Sequence, residues 1–227
     1  MSTFQHSELR INRAEKKLAD LELEIKLATK RALQVAAEQA NLQANQKPLE
    51  TFLGELWEEV RFLTSEFALH ARVALDYLVF DLAWKDSGIE QKGTQFPIDD
   101  SPEGFARHIP TRLKGLTDEH IAMIESFQPY NGFHMHSLLV LNGLSNRDKH
   151  REFAHITYIG GSTPDPNLQT SPPSVGITQM QVNAGRTFHV LLHEAGPDAE
   201  DLSEALANIL SLIKKIVDYF DGVVGQP

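Results

Sequence analysis

Residues 49–85 read LETFLGELWEEVRFLTSEFALHARVALDYLVFDLAWK, and in them Leu53, Leu56, Val60, Leu63 and Phe67 recur at alternating three- and four-residue steps. That stepping lines apolar side chains along one stripe of an α-helix, so a single long helix is expected from about Leu49 to Lys85. The same steps continued reach His70, Ala74, Tyr77 and Asp81, and the stripe turns polar in its last turns. Polar groups on a core-facing stripe must find partners, because each one buried and unpaired costs roughly 1–3 kcal/mol.

Upstream, residues 6–45 contain neither Gly nor Pro, and Ile11, Ala14, Leu18, Leu21, Ile25, Ala28, Ala32 and Val35 repeat the pattern. A second long amphipathic helix is expected there, ended by Lys47-Pro48 and free to pair either with the next helix of its own chain or with a second subunit as a coiled coil. Downstream, residues 86–116 carry Gly88, Gly93, Pro97, Pro102, Pro110 and Gly115 and read as an irregular connection with at most one short helix near Pro102–His108. Thr117 is a suitable N-cap for a helix ending near Phe127, before Gln128-Pro129-Tyr130. A further helix is expected over about 134–153, and a small antiparallel sheet over 154–196, where AHITYIGG, SVGITQMQV and RTFHVLLHE alternate with turn residues including Asn183-Ala184-Gly185. Leu202, Leu206, Ile209, Ile213, Ile216 and Phe220 form the cleanest seam, a C-terminal helix over about 198–221 capped by Asp198 or Asp201 and ended by Gly222.

The expected fold is therefore mainly α: one domain over 1–227, built as a helical bundle with a long helical hairpin (1–85). A loop-and-helix region (86–153), the small antiparallel β-sheet (154–196) and the C-terminal helix (197–222) complete it. The chain has 41% hydrophobic and 23% charged residues and no cysteine, an ordinary globular composition that excludes disulfides, thiolate zinc sites and thiol nucleophiles. The N-terminus turns charged at once and no stretch approaches a membrane span, so a cytoplasmic protein without membrane contact is expected. A net charge of −10 repels phosphate backbones, so any nucleic-acid contact has to be local. Residues 48–90 hold nine Asp/Glu against three Lys/Arg, whereas Arg147, Lys149 and Arg151 form a basic island.

Two constellations carry candidate chemistry. On the long helix, Arg72 and Asp76 lie one turn apart, and His70 and Tyr77 share another stripe; the same residues also fit a structural ion pair and a hydrogen-bonded core histidine. In Ser145-Asn146-Arg147-Asp148-Lys149-His150-Arg151-Glu152, Asn146 shares a face with His150, and Arg147 with Arg151. A histidine flanked by cations favours its neutral form and suits a general base, and two arginines one turn apart can clamp a phosphate; a solvated helix end is the alternative. The pairs His134/His136 and His189/His193 can each face one way, but with no carboxylates at ligand spacing they read as packing or surface residues, and no metal or cofactor is expected. Phosphate-loop, dinucleotide and nucleophile-elbow motifs are absent.

Asn12-Arg13-Ala14, Leu18-Ala19-Asp20-Leu21, Arg72-Val73-Ala74-Leu75-Asp76, Thr94-Gln95-Phe96-Pro97-Ile98, Gln128-Pro129-Tyr130 and Asn146-Arg147-Asp148-Lys149-His150-Arg151 together resemble a family of uncharacterised bacterial and phage proteins with R-x-A-L-D and N-x-D-K-H-R motifs. The resemblance spans most of 9–155. A more distant similarity is to HEPN domains, dimerising helical bundles that often cleave RNA without metal through an Arg and a His; here Tyr77 stands where that pattern after Arg72 has His. The resemblance implies a homodimer and an RNA-directed ribonuclease of defence or toxin type. In that reading His150 is the base and Arg147 and Arg151 hold phosphate, while Asp148, Arg72 and Asp76 complete the catalytic set. Asn146, Lys149, His70 and Tyr77 would contact substrate. The rival expectation is a non-catalytic interaction protein in which the polar cluster locks helices together and exposed seams recruit a partner.

Overall fold

A computed structural model describes residues 4–42, 47–132, 135–149, 156–161, 187–192 and 200–224; within these, the side chains at 32–33, 35–42, 47–57, 147–149, 156–161, 187–191 and 200 are outside the description. The described chain is mainly helical: α1 (Gln5–Leu42), α2 (Lys47–Ser87), α3 (Pro102–Arg112), α4 (Asp118–Ser126), a 3-10 turn (Pro129–Asn131), α5 (His136–Lys149) and α6 (Leu202–Val224). No helix among the described residues is long and apolar enough to cross a membrane.

The two long helices form an antiparallel pair. Ser7 Oγ donates to the Ala74 carbonyl at 2.9 Å, Arg10 meets His70 at 3.2 Å, and Lys17 meets Glu66 at 2.7 Å, so α2 is read backwards as α1 is read forwards. Ile11, Ala14, Leu18, Leu21 and Ala28 on α1 are buried, the first four in one cluster with Val60, Leu63, Phe67 and Ala74 on α2. From Ile11 to Leu21 the α1 seam, which could have awaited a second subunit, is thus packed within the same chain.

α6 closes the bundle with Leu202, Leu206, Ile209, Ile213, Ile216 and Phe220 buried. Asp201 caps it, its Oδ1 accepting from Glu204 N at 3.2 Å, while Asp198 lies outside the described residues. The helix does not stop at Gly222 but runs on to Val224. A helical glycine costs roughly 1 kcal/mol against alanine. Here Val224 is 9% exposed, and its carbonyl accepts from Lys85 Nζ at 2.7 Å, contacts that hold the last turn in place. Ser101 and Thr117 cap α3 and α4, accepting from Gly104 N and His120 N, both at 3.3 Å.

In the stretch expected to carry a sheet, the described residues show only short backbone ladders: Ile156–Gly161 against Thr187–Leu192, antiparallel in the register Ile156↔Leu192, with Glu200–Asp201 alongside. The run 174–182 and the turn Asn183-Ala184-Gly185 lie outside the described residues, so the architecture rests on its helices.

Asp81 marks a cost in the hairpin. Its Oδ2 is buried with no hydrogen-bond partner, and burial raises its pKa above 3.8, opposed by the charge of His6. A folded-state pKa above the unfolded value means that ionised Asp81 opposes folding at neutral pH, an effect that fades as pH falls through the raised value. Asp81→Asn is therefore expected to stabilise the protein by about 1 kcal/mol at pH 7, the low end for an unpaired buried group because the residue is only half-buried. In denaturant titrations the gain should shrink as pH is lowered towards 4; a gain that grew instead would contradict this account.

Candidate functional site

Arg72 and Asp76 project from α2 towards the segment 94–98. Pro97 restricts the residue before it to extended backbone, and in this segment Thr94, Phe96 and Ile98 turn inward and are buried. A buried extended segment that pairs with no strand among the described residues must satisfy its amides and carbonyls elsewhere. Arg72 Nη2 donates to the Phe96 carbonyl at 2.5 Å, and Asp76 Oδ1 accepts from the Phe96 amide at 3.0 Å. The two side chains also pair with each other at 3.3 Å. One helix turn thus presents a donor and an acceptor to the two polar backbone groups of one residue. Burial is the main influence on the Arg72 guanidinium and lowers its pKa, with Asp76 opposing.

Gln128 extends the same lock from the other side. It is 0% exposed; its Oε1 accepts from Asp99 N at 3.0 Å, and its Nε2 donates to the carbonyls of Pro97 at 2.9 Å and Ile124 at 3.2 Å. Two residues on, Tyr130 Oη donates to Glu125 Oε1 at 2.9 Å. Three of the motif segments, 72–76, 94–98 and 128–130, therefore meet in one network whose purpose is visible: it pins an extended stretch against the helices.

His70 and Tyr77 occupy the opposite side of α2 and meet α1. The Tyr77 ring stacks on His6 with centroids 5.4 Å apart, and the Arg10 guanidinium carbon lies 5.7 Å from the centre of the same ring. Arg10 Nη1 lies 3.2 Å from His70 Nδ1. Arginine has no acceptor, so Nδ1 accepts and the neutral ring carries its proton on Nε2. Burial and then the charge of Arg10 lower the His70 pKa below 6.5, with Arg13 and Lys17 acting in the same sense and Glu66 against them.

Beside this contact lies an open groove of about 520 Å³, lined on α1 by Arg10, Arg13, Lys16 and Lys17 together with Leu9 and Asp20, and on α2 by His70. Sequence reasoning passed over these four cations because the helix was read for its apolar seam. The signal was present: at 3.6 residues per turn, positions 10, 13, 16 and 17 fall within roughly a third of the circumference.

Of the second constellation, Asn146 is exposed near the end of α5. The side chains of Arg147, Asp148 and Lys149 lie outside the described residues, as do His150 and Arg151 entirely. The expected convergence of these groups with Arg72 and Asp76 therefore also falls outside them. So do His134, His193 and the side chain of His189; among the described residues no cluster of three His, Asp or Glu side chains is placed to hold a metal ion.

Comparison with protein-family models, curated proteins and solved structures finds no match. The geometry alone carries the functional reading.

Proposed function

We propose that this chain is a helical binding protein whose motif residues maintain its fold, rather than a ribonuclease working through Arg72 and Asp76. The observation that supports this reading is the double engagement of Phe96, whose carbonyl and amide take up Arg72 Nη2 and Asp76 Oδ1. A catalytic cation or carboxylate acts by meeting charge that develops on substrate, for which it must be preorganised and available. Arg72 is 8% exposed and Asp76 is engaged by its cation and a backbone amide, so both groups are already committed to the chain. The hairpin, in contrast, displays Leu9, Leu23, Leu27, Phe62 and Leu69 to solvent, with Leu9 in the lining of the cationic groove, and these exposed groups are available to a partner.

The test is to incubate the purified full-length protein with mixed RNA in excess chelator, in parallel with His150→Ala. No cleavage by either is expected. Cleavage by the wild type that disappears in a folded His150→Ala variant would restore the ribonuclease reading, with His150 as base and Arg147 and Arg151 on phosphate.

A further inference from the structure

We propose that the groove between α1 and α2 is a binding site for an anion carrying two or more linked phosphates. The inference rests on the reading of the chain as a binding protein and names the chemistry of its ligand.

The local charge is the first argument. In a chain of net charge −10, the groove gathers Arg10, Arg13, Lys16 and Lys17 against a single lining carboxylate, Asp20. Lys17 is matched by Glu66 at 2.7 Å, and Glu15, the acidic neighbour of Lys16 in the chain, pairs with Lys214 on α6 instead. Arg13 and Lys16 are exposed on the helix surface, and no ion pair to either is present among the described residues. Like charges one turn apart on a helix repel, so such a cluster raises the energy of the free protein and is relieved by a bound anion.

Preorganisation is the second. Arg10 is held between the Tyr77 ring and His70 Nδ1, so its guanidinium is fixed at the groove by contacts that do not neutralise it. The remaining N–H groups of this planar fork suit a phosphate oxygen pair. His70 stays neutral here and adds a wall without a competing charge; its proton sits on Nε2, the nitrogen turned away from Arg10.

Spacing is the third. Arg13 and Lys16 are separated by a rise of about 4.5 Å along the helix axis, and Arg10 and Lys16 by about 9 Å. One phosphate cannot engage cations spread over that length, whereas two linked phosphates can. A nucleic-acid strand and a nucleoside polyphosphate share this chemistry, and the groove volume of about 520 Å³ admits one nucleotide unit.

The experiment measures fluorescence anisotropy of a labelled oligouridine strand with the full-length protein across a salt series, with ATP as unlabelled competitor. Binding is expected at low salt. Arg13→Glu combined with Lys16→Glu is expected to weaken it at least tenfold and to flatten the dependence of log affinity on log salt by about 1.4, roughly 0.7 for each phosphate of a single strand no longer neutralised. Both positions are exposed, so the variant should fold. Lys30→Glu with Arg31→Glu makes the same charge change elsewhere on α1 and is expected to leave affinity within about threefold. Displacement by ATP assigns the site to a nucleotide, and its failure to compete assigns it to a strand. Absence of binding to both ligands, full affinity in the groove variant, or equal loss in the control variant would overturn the proposal. Shortening of the strand during the assay would instead overturn the non-catalytic reading and leave the site standing.

Discussion

Arg72→Met is expected to lower the unfolding free energy by about 3 kcal/mol, read as a fall in the denaturant midpoint with an unchanged slope. The substitution keeps the length of the aliphatic stem but leaves the Phe96 carbonyl without a donor and Asp76 without its cation. Breaking a buried pair by removing one partner commonly costs roughly 3–5 kcal/mol. The low end applies because the Asp76 side chain retains 24% exposure and its bond to the Phe96 amide. Replacing Asp76 as well, with Leu, should cost less than the sum of the two single changes, since the second removes the charge that the first stranded. A midpoint for Arg72→Met equal to that of the wild type would show that the guanidinium does not hold the 94–98 segment, and would return it to consideration as a substrate group.

Gln128→Leu is the second large effect, with an expected loss of about 3 kcal/mol. The leucine fills the space but leaves Asp99 N and the Pro97 carbonyl facing an apolar side chain, while the Ile124 carbonyl keeps its bond from Phe127 N at 3.2 Å. Gln128→Glu should be no better, because it preserves the acceptor for Asp99 N while turning a carboxylate oxygen towards two carbonyls. Both substitutions act on the segment that Arg72 holds, so Arg72→Met and Gln128→Leu together should destabilise by less than their sum. Equilibrium unfolding of the two single variants and the double variant measures the coupling directly. Full additivity would mean that the two sides of the lock act independently.

The two locks explain why only part of the candidate site was legible. The i, i+4 spacing of Arg72 and Asp76 identified a pair but left open whether it faced substrate or chain, and the deciding partner, Phe96, lies 20 or more residues away in the sequence. Gln128 stands in the Gln128-Pro129-Tyr130 motif, yet a glutamine carries no charge pattern from which its three bonds could be inferred. The groove was missed for a different reason: its cations lie on the polar side of a helix read for its apolar seam, and the His70 wall comes from a residue 60 positions away from Arg10.

By itself the sequence determined the long helices, the described parts of their apolar stripes and the Thr117 cap, and it offered Asp201 as one of two caps for α6, because hydrophobic periodicity and capping act between residues within a few positions of one another. Only the tertiary structure decided which partner filled the α1 seam, what Arg72 and Asp76 hold, and that four cations on α1 open beside a neutral histidine on α2. Those outcomes depend on surfaces far apart along the chain, whose electrostatic and hydrogen-bonding partners exist only once the helices have packed.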